Sequence, residues 1–534
     1  MKVPNMVAIL LAMAACLTAC GTKPSDPTTM PAAPTYDNAT QILLSDSGIT
    51  VDGAAIGSDA AAAVYAANDI VYYESGKDFT YGEGSEKDAH SPDEAAAHTV
   101  VHITKSGVYS LSGKLSLGQI VVDLGDDAKK DPNAVVTLVL NGVDITCEVA
   151  PGVIFYNVYE CGNDGEEKAS KDVDTTAAGA NVIIADGTVN SVNGSYVERI
   201  YKPGSVVLNE DKTEVEDADK LHKYDGAFYS KRSMNIFGGK ENTGVLNIRA
   251  ENEGLDSELH LTINGGNINI FSGNDGINTN EDGVSVTTVN GGKLTIQVTG
   301  RTGEGDGIDS NGWLVINGGT VVASACADSA DAGIDSDMGI HINGGTVIAT
   351  GHMLDRIEEG GQNYAVFQFT QKQTGSETVT MKDQDGKTIL EAKPENAYSV
   401  LIFSGSELKA GTYTLWSNEK QLAGSSGGMM GGPGMGADGM ARPEGNMQPP
   451  ADGTQPPEDL TRPEGDPPED FTPPQGEMPP EGSAPPEGGN RPEMPEGNRP
   501  GNAGGNHMGE QEMTTDFMIR DGGNMFSNIS KNIT

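Results

Sequence analysis

Asp256, Asp275, Asp282, Glu304, Asp306, Asp309, Asp328, Asp331, Asp335 and Asp337 recur at similar stages of a repeating pattern. Stacked in register, equivalent residues stand about 4.8 Å apart. Like carboxylates at that spacing repel, so something must offset them. Ca2+ takes roughly 6–8 oxygen ligands, which stacked Asp side chains and turn carbonyls supply. Mg2+ suits the pattern less, because it demands octahedral geometry and keeps several waters. The plainer alternative is that Asp-Gly and Asp-Ser simply make good turns. Ca2+ is the expected cofactor, with Asp256, Asp275, Asp282, Glu304, Asp306, Asp309, Asp331, Asp335 and Asp337 as candidate ligands. Asn278-Thr279-Asn280-Glu281-Asp282-Gly283 loosely resembles an EF-hand loop but lacks its bidentate Glu.

Other chemistry is poorly provided for. No Gly-x-Ser-x-Gly elbow occurs. His341 lies at a strand position and reads as a packed or exposed strand residue. Paired carboxylates are so abundant that they diagnose no glycosidase. No Cys/His spacing suggests zinc.

The chain has 534 residues, 34 Lys+Arg against 77 Asp+Glu and a net charge of −43. A nucleic-acid partner needs a basic footprint, and this is the reverse. A polybasic membrane face is excluded for the same reason. Gly is high at 71 residues and Trp is scarce at 2, which points to a turn-rich β protein.

Lys2, an apolar run from about Val7 to Leu17, and Leu17-Thr18-Ala19-Cys20-Gly21 read as an export signal ending in a lipobox. Cleavage would leave residues 1–19 behind and a lipid on Cys20, placing the chain outside the cytoplasm at a membrane or cell surface. Residues 20–40 read as a tether. Three cysteines then remain, Cys147, Cys161 and Cys326. A Cys147–Cys161 disulfide and a set of free thiols are both open.

The elements that must position the acids form a repeat. Asn-Gly-Gly starts at Asn264, Asn290, Asn317 and Asn343, with apolar alternation on its flanks. Between the copies stand Gly254-Leu255-Asp256-Ser257, Gly276-Ile277-Asn278, Gly307-Ile308-Asp309-Ser310 and Gly333-Ile334-Asp335-Ser336. A step of 26 or 27 residues fits three short strands and three turns, one coil of a parallel β-helix. The Asn side chains are expected to hydrogen-bond up the stack, and the apolar residue after each Gly to point inward. Residues 41–355 are assigned to this coil and an N-terminal β region. Residues 361–423 read as a small antiparallel β unit. Residues 424–514, rich in Pro, Gly, Met and Glu, are too polar for a core. Residues 515–534 turn apolar again at Phe517, Ile519, Phe526 and Ile529, which predicts a strand returning to the antiparallel unit.

Leu140-Asn141-Gly142-Val143-Asp144-Ile145, Ala185-Asp186-Gly187-Thr188-Val189-Asn190, Asp225-Gly226-Ala227-Phe228-Tyr229-Ser230-Lys231 and the two repeats together resemble a bacterial surface carbohydrate-binding domain family. Its type is a clostridial polygalacturonate-binding protein, and the resemblance runs over about 97–420. It implies an all-β, right-handed parallel β-helix similar to pectate lyases, bound calcium, acidic plant polysaccharide as ligand and no demonstrated lyase chemistry. The Pro-Glu-Gly segment departs from that pattern.

A uronate ligand needs cationic groups or calcium bridges to approach so acidic a surface. Arg matches carboxylate bidentately. Lys231, Arg232, Lys240, Arg249 and Arg301 are the candidates for carbohydrate binding. A polysaccharide lyase on the same scaffold is the runner-up, with Arg301 beside Glu304 and Asp306 as its base. A surface adhesin with a protein ligand is the third reading.

Overall fold

The computed structural model describes residues 33–162, 165–426 and 513–531. The signal and lipobox around Cys20, and most of the low-complexity stretch, lie outside the described residues.

Alternating apolar residues drive the chain into short strands that cannot bury their faces alone, so they stack. Three sheets of parallel strands result. The first runs through Thr99–Ile103, Gly118–Asp123, Val153–Asn157, Gly226–Ser230, Glu253–Ser257, Ile277–Thr279 and Ile308–Ser310. The second climbs from Gly107–Leu115 and the first half of Val136–Thr146 through Ala180–Ile184, Met234–Gly238, Leu261–Ile263, Val286–Val289 and Trp313–Ile316 to Gly339–Ile342. The third follows through Val189–Gly194, Val245–Ala250, Asn267–Ser272, Lys293–Val298, Thr320–Ser324 and Thr346–Gly351. Each rung visits the three sheets in turn, so the fold is an all-β solenoid. It starts earlier than the regular repeat suggests, because Thr40–Leu44 already pairs in parallel with Gly107–Leu115.

The interior is a set of apolar columns. Leu255, Ile277, Ile308 and Ile334 stack with no exposure. Leu246, Ile268, Leu294, Val321 and Val347 form another column of buried side chains. Each fully buried aliphatic side chain contributes about 1.5–3 kcal/mol. At the corner between the second and third sheets the Asn side chains hydrogen-bond along the stack. Asn290 donates to Asn264, Asn317 to Asn290 and Asn343 to Asn317, at 2.9, 2.9 and 2.8 Å. The second glycine of each Asn-Gly-Gly has positive φ, from +76° to +91°. A Cβ on Gly292 would come within 2.5 Å of the Gly266 carbonyl oxygen below, so no other residue fits there.

Thr346–Gly351 closes the third sheet against Tyr398–Ser404, which is antiparallel to it and to Tyr364–Gln373. Gly523–Lys531 lies parallel to Tyr364–Gln373, and Phe517–Ile519 antiparallel to Gly411–Ser417. Phe517, Ile519, Phe526 and Ile529 are all buried there. Phe367 packs against Phe517 and Phe526 with ring centroids 5.5 and 5.4 Å apart. The antiparallel unit extends three residues beyond the expected limit at 423. Lys420–Ser426 continues because Ala423 and Ser425 have partners in the returning strand, Ser530 and Ser527.

Candidate functional site

The first sheet carries the acids, and the stacking sorts them into two columns. Asp256, Asn278 and Asp309 are in register one rung apart, and the Asp335 N–H donates to Ile308 O on the next rung. Three residues earlier in the chain stands a second column, Glu253, Asp275 and Asp306. The Asp306 N–H donates to the Asp275 carboxylate, and the Ala332 N–H to the Asp306 carboxylate, both at 2.6 Å. In that column the acids partly satisfy the backbone of the next rung.

Between Val189–Gly194 and Gly226–Ser230 the chain leaves the coil, and residues 195–225 fold over the top of these columns. Arg199 in this excursion makes a bidentate ion pair with Asp225. Tyr224 packs edge-on against Tyr229, whose hydroxyl donates to Glu258 at 2.7 Å. The cover leaves Asp256 with no exposure and Glu253 with 5%.

Asp225, Glu253 and Asp256 thereby converge, each offering a carboxylate oxygen within 4.8 Å of the others. Asn278 donates to Glu253 Oε1 at 3.1 Å, and Asn280 donates to Asp256 Oδ1. Glu253 Oε2, Asp256 Oδ2 and Asn278 Oδ1 are buried with no hydrogen-bond partner among the described residues. A buried oxygen without a donor costs about 1–3 kcal/mol, and more when charged. Burial, with the neighbouring Asp256 and Asp225 carboxylates, pushes Glu253 well above the usual carboxylate range. Burial and Asp225 do the same to Asp256. Lower in the columns, burial and Asp275 push Asp306 up to about 9. Burial and Asp355 push Asp335 up to about 7.

The donor set is all oxygen, with neither sulfur nor imidazole, which suits a hard cation. Three carboxylates and one guanidinium leave two negative charges unmatched, the charge of one divalent ion. Asp225, Glu253, Asp256 and Asn278 would hold it, and these residues fit Ca2+.

Of the expected ligands, only Asp256 is in this cluster. Asp275, Asp306, Asp309 and Asp335 continue the columns below it. Asp331 accepts from Gly305 N at 2.6 Å. Asp337 is exposed on the same rung as Asp335, its N–H donating to Ser310 O. Asp282 and Glu304 stand apart on exposed loops, Asp282 accepting from Asn311 at 2.7 Å. Asp328 is exposed and pairs with Lys372 at 3.2 Å. Asp225, Glu253 and Asn278 were not singled out as ligands. The signal that finds Glu253 is the acid before three of the four repeated glycines: Glu253-Gly254, Asp275-Gly276 and Asp306-Gly307.

The five cations do not form one site. Lys231 Nζ lies over the Tyr156 ring at 4.1 Å, and Arg232 beside it has a buried Nε without a partner. Lys240 is exposed in a turn between the second and third sheets. Arg249 covers Phe271 at 4.7 Å, beside a groove of about 440 Å3 between the third sheet and residues 392–395. Arg301 pairs with Glu251 at 2.6 Å, so it is not a free base. His341 is half-buried, and burial pushes it below its ordinary value. Cys147, Cys161 and Cys326 are free thiols, and burial pushes the first two up to about 12. Among the described residues no helix is long and apolar enough to cross a membrane.

A family model described as carbohydrate-binding domain-containing protein matches residues 97–393. The match takes in the acidic columns and more than half of the chain, which belongs to this family. Among solved structures, the chain is similar to the polysaccharide lyase-like protein from C. thermocellum, solved as a gadolinium derivative. The two are 20% identical, with 58% of this chain and 90% of that one covered and a TM-score of 0.34. No curated protein matches the chain.

Proposed function

We infer that the protein binds acidic polysaccharide of the polygalacturonate type in a calcium-dependent, non-catalytic way. In the same reading its solenoid is the right-handed coil of pectate-lyase type, and a lipid on Cys20 holds it at the cell surface. The observation that carries the calcium reading is the set of unpartnered buried oxygens on Glu253, Asp256 and Asn278, where the carboxylates of Asp225, Glu253 and Asp256 converge. An ion there would tie residues 195–225 to the coil. Below it, the half-exposed Asp309 and Asp335 and the exposed Asp337 continue the acidic edge into solvent. A uronate polymer meets a chain of net charge −43 and is repelled unless cations bridge the carboxylates. Membership in a carbohydrate-binding family supports the ligand class. The ion pair between Arg301 and Glu251 argues against lyase chemistry through that residue.

Isothermal titration with polygalacturonate tests the reading. Binding is expected in millimolar calcium and is lost with chelator. No binding in calcium would overturn the ligand assignment. Absorbance from unsaturated uronate stays flat during long incubation; a rise would restore the lyase.

A further inference from the structure

The antiparallel unit carries a second feature that the acidic edge does not use. In the strand Gly411–Ser417, Tyr413 and Leu415 are buried while Thr412, Thr414 and Trp416 lie on the opposite, half-exposed face. The neighbouring strand Val379–Asp383 sets Lys382 opposite Thr414 and Thr380 opposite Trp416. Lys382, Thr412, Thr414 and Trp416, with the Asp383–Gly386 turn and Asp516, line a groove of about 510 Å3. That volume is within the range of small-ligand sites.

Trp416 is fixed in this groove. Its Nε1–H donates to Thr414 Oγ1 at 2.9 Å, which locks the ring's orientation. The Lys382 ammonium lies over the ring at 4.8 Å from the centroid. Among the described residues, no carboxylate pairs with Lys382. The half-exposed indole is thus overlaid by a cation on a flexible stem and edged by two carboxylates, Gln384 and threonine hydroxyls.

We propose that this groove is a second glycan site, selective for neutral hexopyranose chains and independent of calcium. A pyranose has an apolar face of C–H bonds, which the indole covers as it covers any apolar surface once Lys382 swings off the ring on its flexible stem. Its equatorial hydroxyls donate to Asp383 and Asp516 and accept from Lys382 and Gln384. Charge decides against a uronate: two carboxylates and one ammonium give the groove no positive surplus. The proposal leans on the carbohydrate-binding family membership and not on the calcium reading, so either can fail alone.

The test uses the full chain on an array of neutral hexose polysaccharides and uronate polysaccharides, with chelator present throughout. Binding to neutral spots is expected, falling at least tenfold in Trp416→Ala and less in Trp416→Phe, which keeps a ring in the sheet. A direct readout comes from Trp313→Phe, which leaves Trp416 as the sole indole. Titration with the best-bound neutral polysaccharide shifts its emission to the blue. Binding to uronate spots alone, neutral spots indifferent to Trp416→Ala, or an unmoved emission spectrum overturns the proposal.

Discussion

Two stacks of polar side chains run up the same coil and end in opposite states. In the asparagine stack every amide is both donor and acceptor, so Asn264, Asn290, Asn317 and Asn343 satisfy one another rung by rung. In the acidic stack the groups are acceptors only. Asp275 and Asp306 find backbone N–H donors, but Glu253 and Asp256 are each left with one bare oxygen, and burial raises all four above the usual carboxylate range. Repetition stabilises a side chain that can donate to its own copy. A side chain that cannot must be completed from outside the stack, by a proton or by a cation.

The largest effect expected from this contrast is a calcium increment confined to the acidic edge. A ligand at a thousand times its Kd stabilises a fold by about 4 kcal/mol. Thermal melting in millimolar calcium should therefore exceed melting in chelator for the natural chain. The double variant Glu253→Gln, Asp256→Asn should lose the increment and melt in chelator at least as high as the natural chain. A natural chain indifferent to calcium would break the comparison.

A smaller effect separates the stacks by pH in chelator. Asp306 and Asp335 have folded pKa values raised to about 9 and about 7 over an ordinary 3.8. Their favourable contribution is complete at low pH and is lost as pH rises through those values. His222, pushed by burial down to about 4 from 6.5, works in the opposite sense, and only below pH 6.5. Between pH 6.5 and 9, Asp306 accounts for a loss of up to about 3 kcal/mol. Asp306→Asn should remove that share of the slope in denaturant titrations at several pH values, while Asn290→Ala should leave the slope unchanged.

The smallest effect sharpens the asparagine side. Asn317→Ala removes two amide bonds and should cost about 1–3 kcal/mol. Asn317→Asp keeps the acceptor for Asn343 but sets a carboxylate against Asn290 Oδ1. It should cost more than Ala at pH 7 and recover part of the loss near pH 4. Equal costs at both pH values would mean the stack tolerates an acceptor without a donor.

The parallel coil and the asparagine stack were legible because Asn-Gly-Gly sits at a corner whose spacing scarcely varies. The returning strand was legible because Phe517, Ile519, Phe526 and Ile529 are apolar at strand positions beside a polar stretch. The acidic cluster was legible only in part. Loops of unequal length separate Leu255, Ile277 and Ile308 on successive rungs, so the acids before each Gly keep no fixed step. Asp225 and Arg199 come from an excursion outside the repeat, and no periodicity can announce a group that approaches from elsewhere. The sparse cations misled for a related reason. Lys231, Arg249 and Arg301 are each held by a local partner, a ring or a carboxylate.

The returning strand also moors the chain. Ser426 pairs with Phe526, and Gly424 and Thr514 exchange hydrogen bonds at 2.9 and 2.8 Å. The points where the chain departs at 426 and re-enters at 513 are therefore stitched side by side. A protease cut anywhere between them leaves two fragments knitted together by the sheet, so the molecule can be nicked there without coming apart.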